Sequence, residues 1–158
     1  MKAAVKVVYT AKVHTTGGRD GGVARSDDDR LHIGLSAPGS RGAGTNPEQL
    51  LAAGWSACFE GAIGIAARQL KVVPPPEMAV DAEVDLCGNG GSYFLRARLN
   101  VSLPGLSSEV GSNLIASAHR ICPYSKATRG NIDVLIALVE SGSSTTIVET
   151  RVSPERTN

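Results

Sequence analysis

The chain is poor in aromatic side chains: one Trp, three Tyr and two Phe make up 4% of its 158 residues. It therefore lacks a platform on which bases could stack. Sixteen basic residues against 15 acidic ones leave a formal net charge of +1, so it also lacks an electrostatic footprint for nucleic acid or an anionic membrane. Both partner classes are demoted on these grounds. Cysteine is scarce too. Cys58, Cys87 and Cys122 are odd in number, widely spaced and free of any CxxC pair, which excludes the disulfide scaffold of a small secreted domain. The opening Met1-Lys2-Ala3-Ala4-Val5-Lys6 lacks the apolar run of a signal peptide. A reducing, cytoplasmic location is the expectation, and there a cysteine pair is more often catalytic or redox-active than structural. His14, His32 and His119 show no metal-ligand spacing, and His119 with Cys122 offers only two ligands, so no metal is expected.

Glycine is in excess, at 18 residues, without a collagen-like period, and reads as turns. The core must be built mainly from Ala, Val, Leu and Ile. The length suits one domain, expected over 1–140, with 141–158 as a C-terminal extension of no assigned role.

Alternation from Val5 to Val13 predicts a half-buried strand, followed by the four-glycine loop Gly17 to Gly22 with Arg19 at its tip. A weaker strand is expected around Leu31 to Leu35. Thr45-Asn46-Pro47-Glu48 is a helix start, with a cap, a proline in the first turn and a carboxylate beside the positive end of the dipole. That helix should run to about Leu70. Glu60 is the single charge between Leu50 and Ala67, so the helix is apolar nearly all round and is expected as the buried spine of the fold. Its many small residues and central carboxylate argue against a membrane span.

Met78 to Leu86 and Tyr93 to Val101 alternate cleanly around Gly88-Asn89-Gly90-Gly91, a hairpin whose acidic and basic outer faces should pair. Ser107 or Ser108 can cap a second helix that ends near Ile121, because Pro123 disfavours helical geometry at Cys122. A short turn of helix can begin at Pro123. Ile132 to Val139 reads as a buried strand, and Thr145 to Val152 as one more strand or a mobile tail. The class is α+β, with antiparallel sheets wrapped around long buried helices.

Each thiol taken alone has an ordinary reading. Cys58 in an apolar helix can be a small core filler. Cys122, at the junction of two helices, can be a packed helix-end residue or a thiol whose pKa is lowered by unpaired backbone N–H groups. Cys87 beside the hairpin turn reads as incidental.

In combination the pattern is far more specific. Gly17-Gly18-Arg19-Asp20-Gly21, Thr45-Asn46-Pro47-Glu48-Gln49-Leu50, Ser56-Ala57-Cys58-Phe59 and Ile121-Cys122-Pro123-Tyr124-Ser125 through Ile132 occur in this order. Together they closely resemble the organic hydroperoxide resistance branch of the Ohr/OsmC family, over roughly Val7 to Val139. The resemblance implies a thiol peroxidase for organic hydroperoxides, with Cys58 as peroxidatic thiolate, Cys122 as resolving cysteine, and Arg19 and Glu48 organising the site. It also implies an intertwined homodimer and an external dithiol reductant, dihydrolipoamide or a lipoylated protein, in place of a bound cofactor. Trp55, Phe59 and Ile63 would line an apolar pocket for bulky peroxides. Glu60 and Cys87 depart from the family pattern. The rival reading is a non-catalytic redox sensor or small-molecule binding module.

One geometric constraint is independent of the resemblance. Glu48 and Cys58 are ten residues apart on one helix, about 15 Å along its axis. Either Arg19 spans much of that distance, or a second subunit supplies part of the site.

Overall fold

The computed structural model describes residues 4–139 and 145–151. They fall into two compact units, Met1–Pro47 and Glu48–Asn158. The first holds an antiparallel sheet of β1 (Val13–Thr16), β2 (Val23–Ser26) and β3 (His32–Gly34), in that order. The β1–β2 turn depends on its glycines. Gly17, Gly18 and Gly21 have φ of 73°, 67° and 88°, and a Cβ on Gly22 would collide with the Gly18 carbonyl oxygen.

The strand expected over Val5–Val13 is displaced to Val13–Thr16. Its ladder runs from Val13↔Ser26 to Thr16↔Val23, whereas Val5, Val7 and Tyr9 are exposed. Alternation gives a segment two faces, but a strand also needs a partner edge, and β2 supplies one only from Val13 onward. The short, mixed sequence Val-Ala-Arg-Ser of β2 carries too little alternation to be anticipated.

The second unit begins with α1 (Pro47–Leu70), which has proline at its first position and Glu48 in its first turn. Trp55, Phe59, Ala62, Ile63, Ala66 and Ala67 form one buried stripe at helical spacing. This corrects the expectation of burial all round, since Ala53, Ala57, Glu60, Gly61 and Ile65 are exposed. The outer face is apolar because its residues are small, not because the chain covers it. By length and composition α1 is apolar enough to cross a membrane, yet the Trp55 stripe is sealed in a protein core.

Strands β4 (Ala79–Asn89) and β5 (Ser92–Ser102) form the expected hairpin, closed by Gly90 and Gly91 at φ 58° and 102°. On its inner face Ala97, Leu99 and Val101 are buried. On its outer face Arg98 donates to both oxygens of Asp85, at 2.6 and 2.9 Å, and to Glu83 at 2.8 Å. Arg98 holds the Asp85 carboxyl below its usual range.

Helix α2 (Ser108–Ile121) is capped by Ser107, whose Oγ accepts from the Val110 N–H at 3.3 Å. Helix α3 (Pro123–Thr128) follows after Cys122 alone. The chain then returns as β6 (Asp133–Val139), parallel to β5, and β7 (Thr145–Arg151) adds antiparallel to β6. The α+β class holds, but this sheet, in the order β4-β5-β6-β7, is mixed rather than purely antiparallel. The reason is the helical crossover, which brings the chain back in the same direction. Part of the expected extension is thus a sheet strand, and 141–144 and 152–158 lie outside the described residues. The core joins α1, β5, α2 and β6 through Trp55, Phe59, Ile63, Leu99, Leu114, Ile115 and Ile136, all at 0% exposure.

Candidate active site

Cys58 sits midway along α1, half-buried and packed against the edge of the core. Cys122 closes α2 and precedes α3, fully buried. Pro123 forces this local geometry. Cys122 has φ −56° and ψ 122°, outside the helical region, while its N–H still donates to the Ala118 carbonyl at 2.8 Å. Its thiol points back at α1, and the Cys122 Sγ donates to the Cys58 Sγ at 3.5 Å.

Two neighbours complete this junction. The Trp55 indole N–H donates to the Ser125 hydroxyl at 3.4 Å, both residues being fully buried. The Tyr124 hydroxyl rests against the bare backbone of Gly54, where a Cβ would lie 2.6 Å from it. Burial pushes the Cys58 thiol above its ordinary pKa and the adjacent Cys122 adds to the rise, while the Tyr124 backbone N–H, donating to the Cys58 sulfur, pulls it down. The arrangement is asymmetric: Cys58 is half-buried, and Cys122, in contact with it, is fully buried. Two thiols so placed can pass between dithiol and disulfide.

The family described as OsmC-like protein matches residues 37–137, a stretch that includes both thiols. The chain belongs to the OsmC-like family, in its organic hydroperoxide resistance branch. The organic hydroperoxide resistance protein of Xanthomonas axonopodis pv. citri is 44% identical over 142 residues, covering 87% of this chain and 99% of the relative. Among solved structures, the organic hydroperoxide resistance protein OhrB of Bacillus subtilis superposes with a TM-score of 0.79 at 38% identity, covering 84% of this chain and 99% of that one. A Vibrio cholerae structure of the same description, with captopril bound in one of its active sites, gives 0.78 at 39% identity and covers 84% and 93%.

In this OsmC-like chain the two expected redox cysteines are brought together across 64 positions. Glu48 is half-buried in the first turn of the same unbroken α1 that carries Cys58, which keeps the separation of about 15 Å. Arg19 belongs to the first unit, exposed in the β1–β2 turn. Trp55, Phe59 and Ile63, expected as pocket walls, are wholly inside the core at 0% exposure. Cys87 is half-buried on β4, opposite Phe94 in the hairpin. Among the described residues no cluster of three His, Cys, Asp or Glu offers a metal site. Sequence reasoning gave no role to Gly54, Tyr124 and Ser125. The Pro123-Tyr124-Ser125 run was legible, but its function depends on a helix far away in the chain.

Proposed function

We propose that the chain is a cysteine-based peroxidase that reduces organic hydroperoxides to alcohols. The observation that carries the reading is the contact of a half-buried Cys58 with a buried Cys122 at 3.5 Å. The names of its relatives, which speak of resistance to organic hydroperoxides, support it.

The Cys58 thiolate attacks the terminal oxygen of ROOH. The O–O bond breaks, sulfur is oxidised by two electrons to the sulfenic acid, and the alkoxide leaves as ROH after taking a proton. The Cys122 thiol then displaces water from the sulfenic sulfur, forming a Cys58–Cys122 disulfide. A dithiol such as a dihydrolipoyl group restores both thiols by exchange and is itself oxidised. No bound cofactor enters the cycle.

Burial and Cys122 disfavour the thiolate, so the site needs a permanent cation. Arg19 is the proposed source, since a guanidinium cannot deprotonate, and Glu48 is its proposed anchor by a bidentate contact. The protein acts as a homodimer. The exposed apolar face of α1 and the distance between Glu48 and Cys58 both favour a second subunit in the assembled site. Trp55, Phe59 and Ile63 are closed off inside the core and do not line the pocket, so the preference for alkyl and lipid peroxides over hydrogen peroxide rests on the relatives, whose names speak of organic hydroperoxides. A cytoplasmic location fits the free thiols.

Steady-state turnover of an alkyl hydroperoxide against hydrogen peroxide, with dihydrolipoamide and with a thioredoxin system, tests the reading. Catalytic turnover with the alkyl peroxide and dihydrolipoamide is expected. Loss of one equivalent of peroxide, independent of added dithiol, would instead make the pair a redox sensor.

A further inference from the structure

Helix α1 meets the start of α3 and the Cys122 cap that precedes it through two pairs. Cys58 faces Cys122 at 3.5 Å, and Trp55 faces Ser125 at 3.4 Å. Trp55 is three residues before Cys58 on α1, and Ser125 is three residues after Cys122, so the hydrogen bond lies about one helical turn from the thiols on both elements. Trp55 and Ser125 are each at 0% exposure, so water cannot replace either partner. Gly54, beside Trp55, leaves room for the Tyr124 ring, whose hydroxyl would lie 2.6 Å from a Cβ there. Ser125 is, among the described residues, one of three buried polar residues, with His119 and Thr128, and it is the one at 0% exposure, its hydroxyl having the indole N–H as partner. A packing role alone would be met as well by alanine.

We infer that Trp55 and Ser125 are a positioning pair for the resolving step: their hydrogen bond holds α3 against α1 so that Cys122 remains in reach once Cys58 is oxidised. The inference rests on the peroxidase reading and deepens it. In the step concerned, Cys58–SOH and Cys122–SH give the disulfide and water. The competing reaction consumes a second ROOH, which oxidises Cys58–SOH to the sulfinic acid and leaves as ROH. If α3 drifts, the first reaction slows and the second does not. The bond therefore governs how often an oxidised Cys58 is rescued.

The test is a peroxide titration of the full-length reduced protein, acid-quenched, alkylated and read by mass spectrometry for disulfide against sulfinic acid. Ser125→Ala should react with the first equivalent of peroxide at the wild-type rate, form the disulfide about three- to tenfold more slowly, and accumulate correspondingly more sulfinic acid. Ser125→Thr, which keeps the hydroxyl, should restore the disulfide fraction towards wild type. Trp55→Phe should raise the sulfinic fraction as Ser125→Ala does, and the double variant should be no worse than either single one. A merely structural role would lower the melting temperature and leave the ratio unchanged. An unchanged ratio in Ser125→Ala, or equal ratios in Ser125→Ala and Ser125→Thr, overturns the positioning role while the peroxidase reading stands. A wild-type protein that forms no Cys58–Cys122 disulfide overturns both.

Discussion

The sulfurs of Cys58 and Cys122 are 64 residues apart in the chain and 3.5 Å apart in space, one half-buried and the other closed off from solvent. Under the proposed peroxidase cycle this asymmetry gives Cys58, rather than Cys122, the first encounter with peroxide. Cys58→Ser is expected to abolish turnover. Cys122→Ser should consume one equivalent of peroxide when peroxide is stoichiometric, and a second only as peroxide is raised and Cys58 advances to sulfinic acid. Peroxide consumption and intact mass separate the two.

The electrostatics of Cys58 set a pH dependence. Its pKa is raised in the folded chain, so the protonated thiol is favoured there more than in the unfolded chain. The associated stability is fully present below the ordinary thiol pKa of about 8.5 and is lost as pH rises through the raised folded value. Melting curves of reduced Arg19→Gln, in which no guanidinium opposes the rise, should fall across that alkaline window, and adding Cys58→Ala should flatten the fall.

If Arg19 provides the missing cation, Arg19→Gln moves the apparent pKa of peroxide reduction up by about one unit or more. Activity near neutral pH should then drop about tenfold or further, with recovery on the alkaline side. Glu48→Gln should shift the profile in the same direction by less, since it removes only the anchor. An unshifted profile in both variants would detach this pair from the thiol.

Gly61 offers a clean probe of assembly. It is exposed on the outer face of α1, and a Cβ there would meet nothing within 4 Å. Arginine has room in the isolated chain and raises helix propensity over glycine by roughly 0.5–1 kcal/mol, so Gly61→Arg should fold. It should nevertheless run as a monomer in light scattering and lose most of its activity, because only a partner subunit would meet the new side chain. A folded, active monomer of the unmodified chain at assay concentration would sink the dimer.

On the hairpin, the Asp85 and Arg98 side chains are 38% and 36% exposed, so solvent screening keeps their bond to under about 1 kcal/mol. Asp85 has a lowered pKa, and its contribution is present above the ordinary carboxylate value and lost as pH falls through the lowered one. Asp85→Asn should melt slightly earlier at pH 7, and the difference should vanish in strong acid.

Much of this could be read along the chain. Pro47 and Glu48 announced α1, Gly90 and Gly91 the hairpin, and Ser107 the cap of α2, because capping and turn chemistry are local. The four spaced motif blocks pointed to both cysteines before any geometry was available. The N-terminal strand fared worse. The same two-residue alternation runs through Val5, Val7 and Tyr9 as through Val13, yet only the residues that meet β2 are in its ladder. Pairing is a long-range event that a local period cannot specify.

What the sequence determined by itself was the cast: a polar-capped apolar helix with a thiol at its midpoint, and a second thiol locked outside helical geometry by Pro123. Tertiary structure decided the relations among them. It set which stripe of α1 is buried, the parallel return of β6, and the meeting of Trp55 with Ser125 and of Cys58 with Cys122. The physical reason is that caps, turns and periodicity are settled within a few residues of backbone. A sulfur–sulfur contact across 64 positions exists only where the core has packed two helices to within side-chain reach.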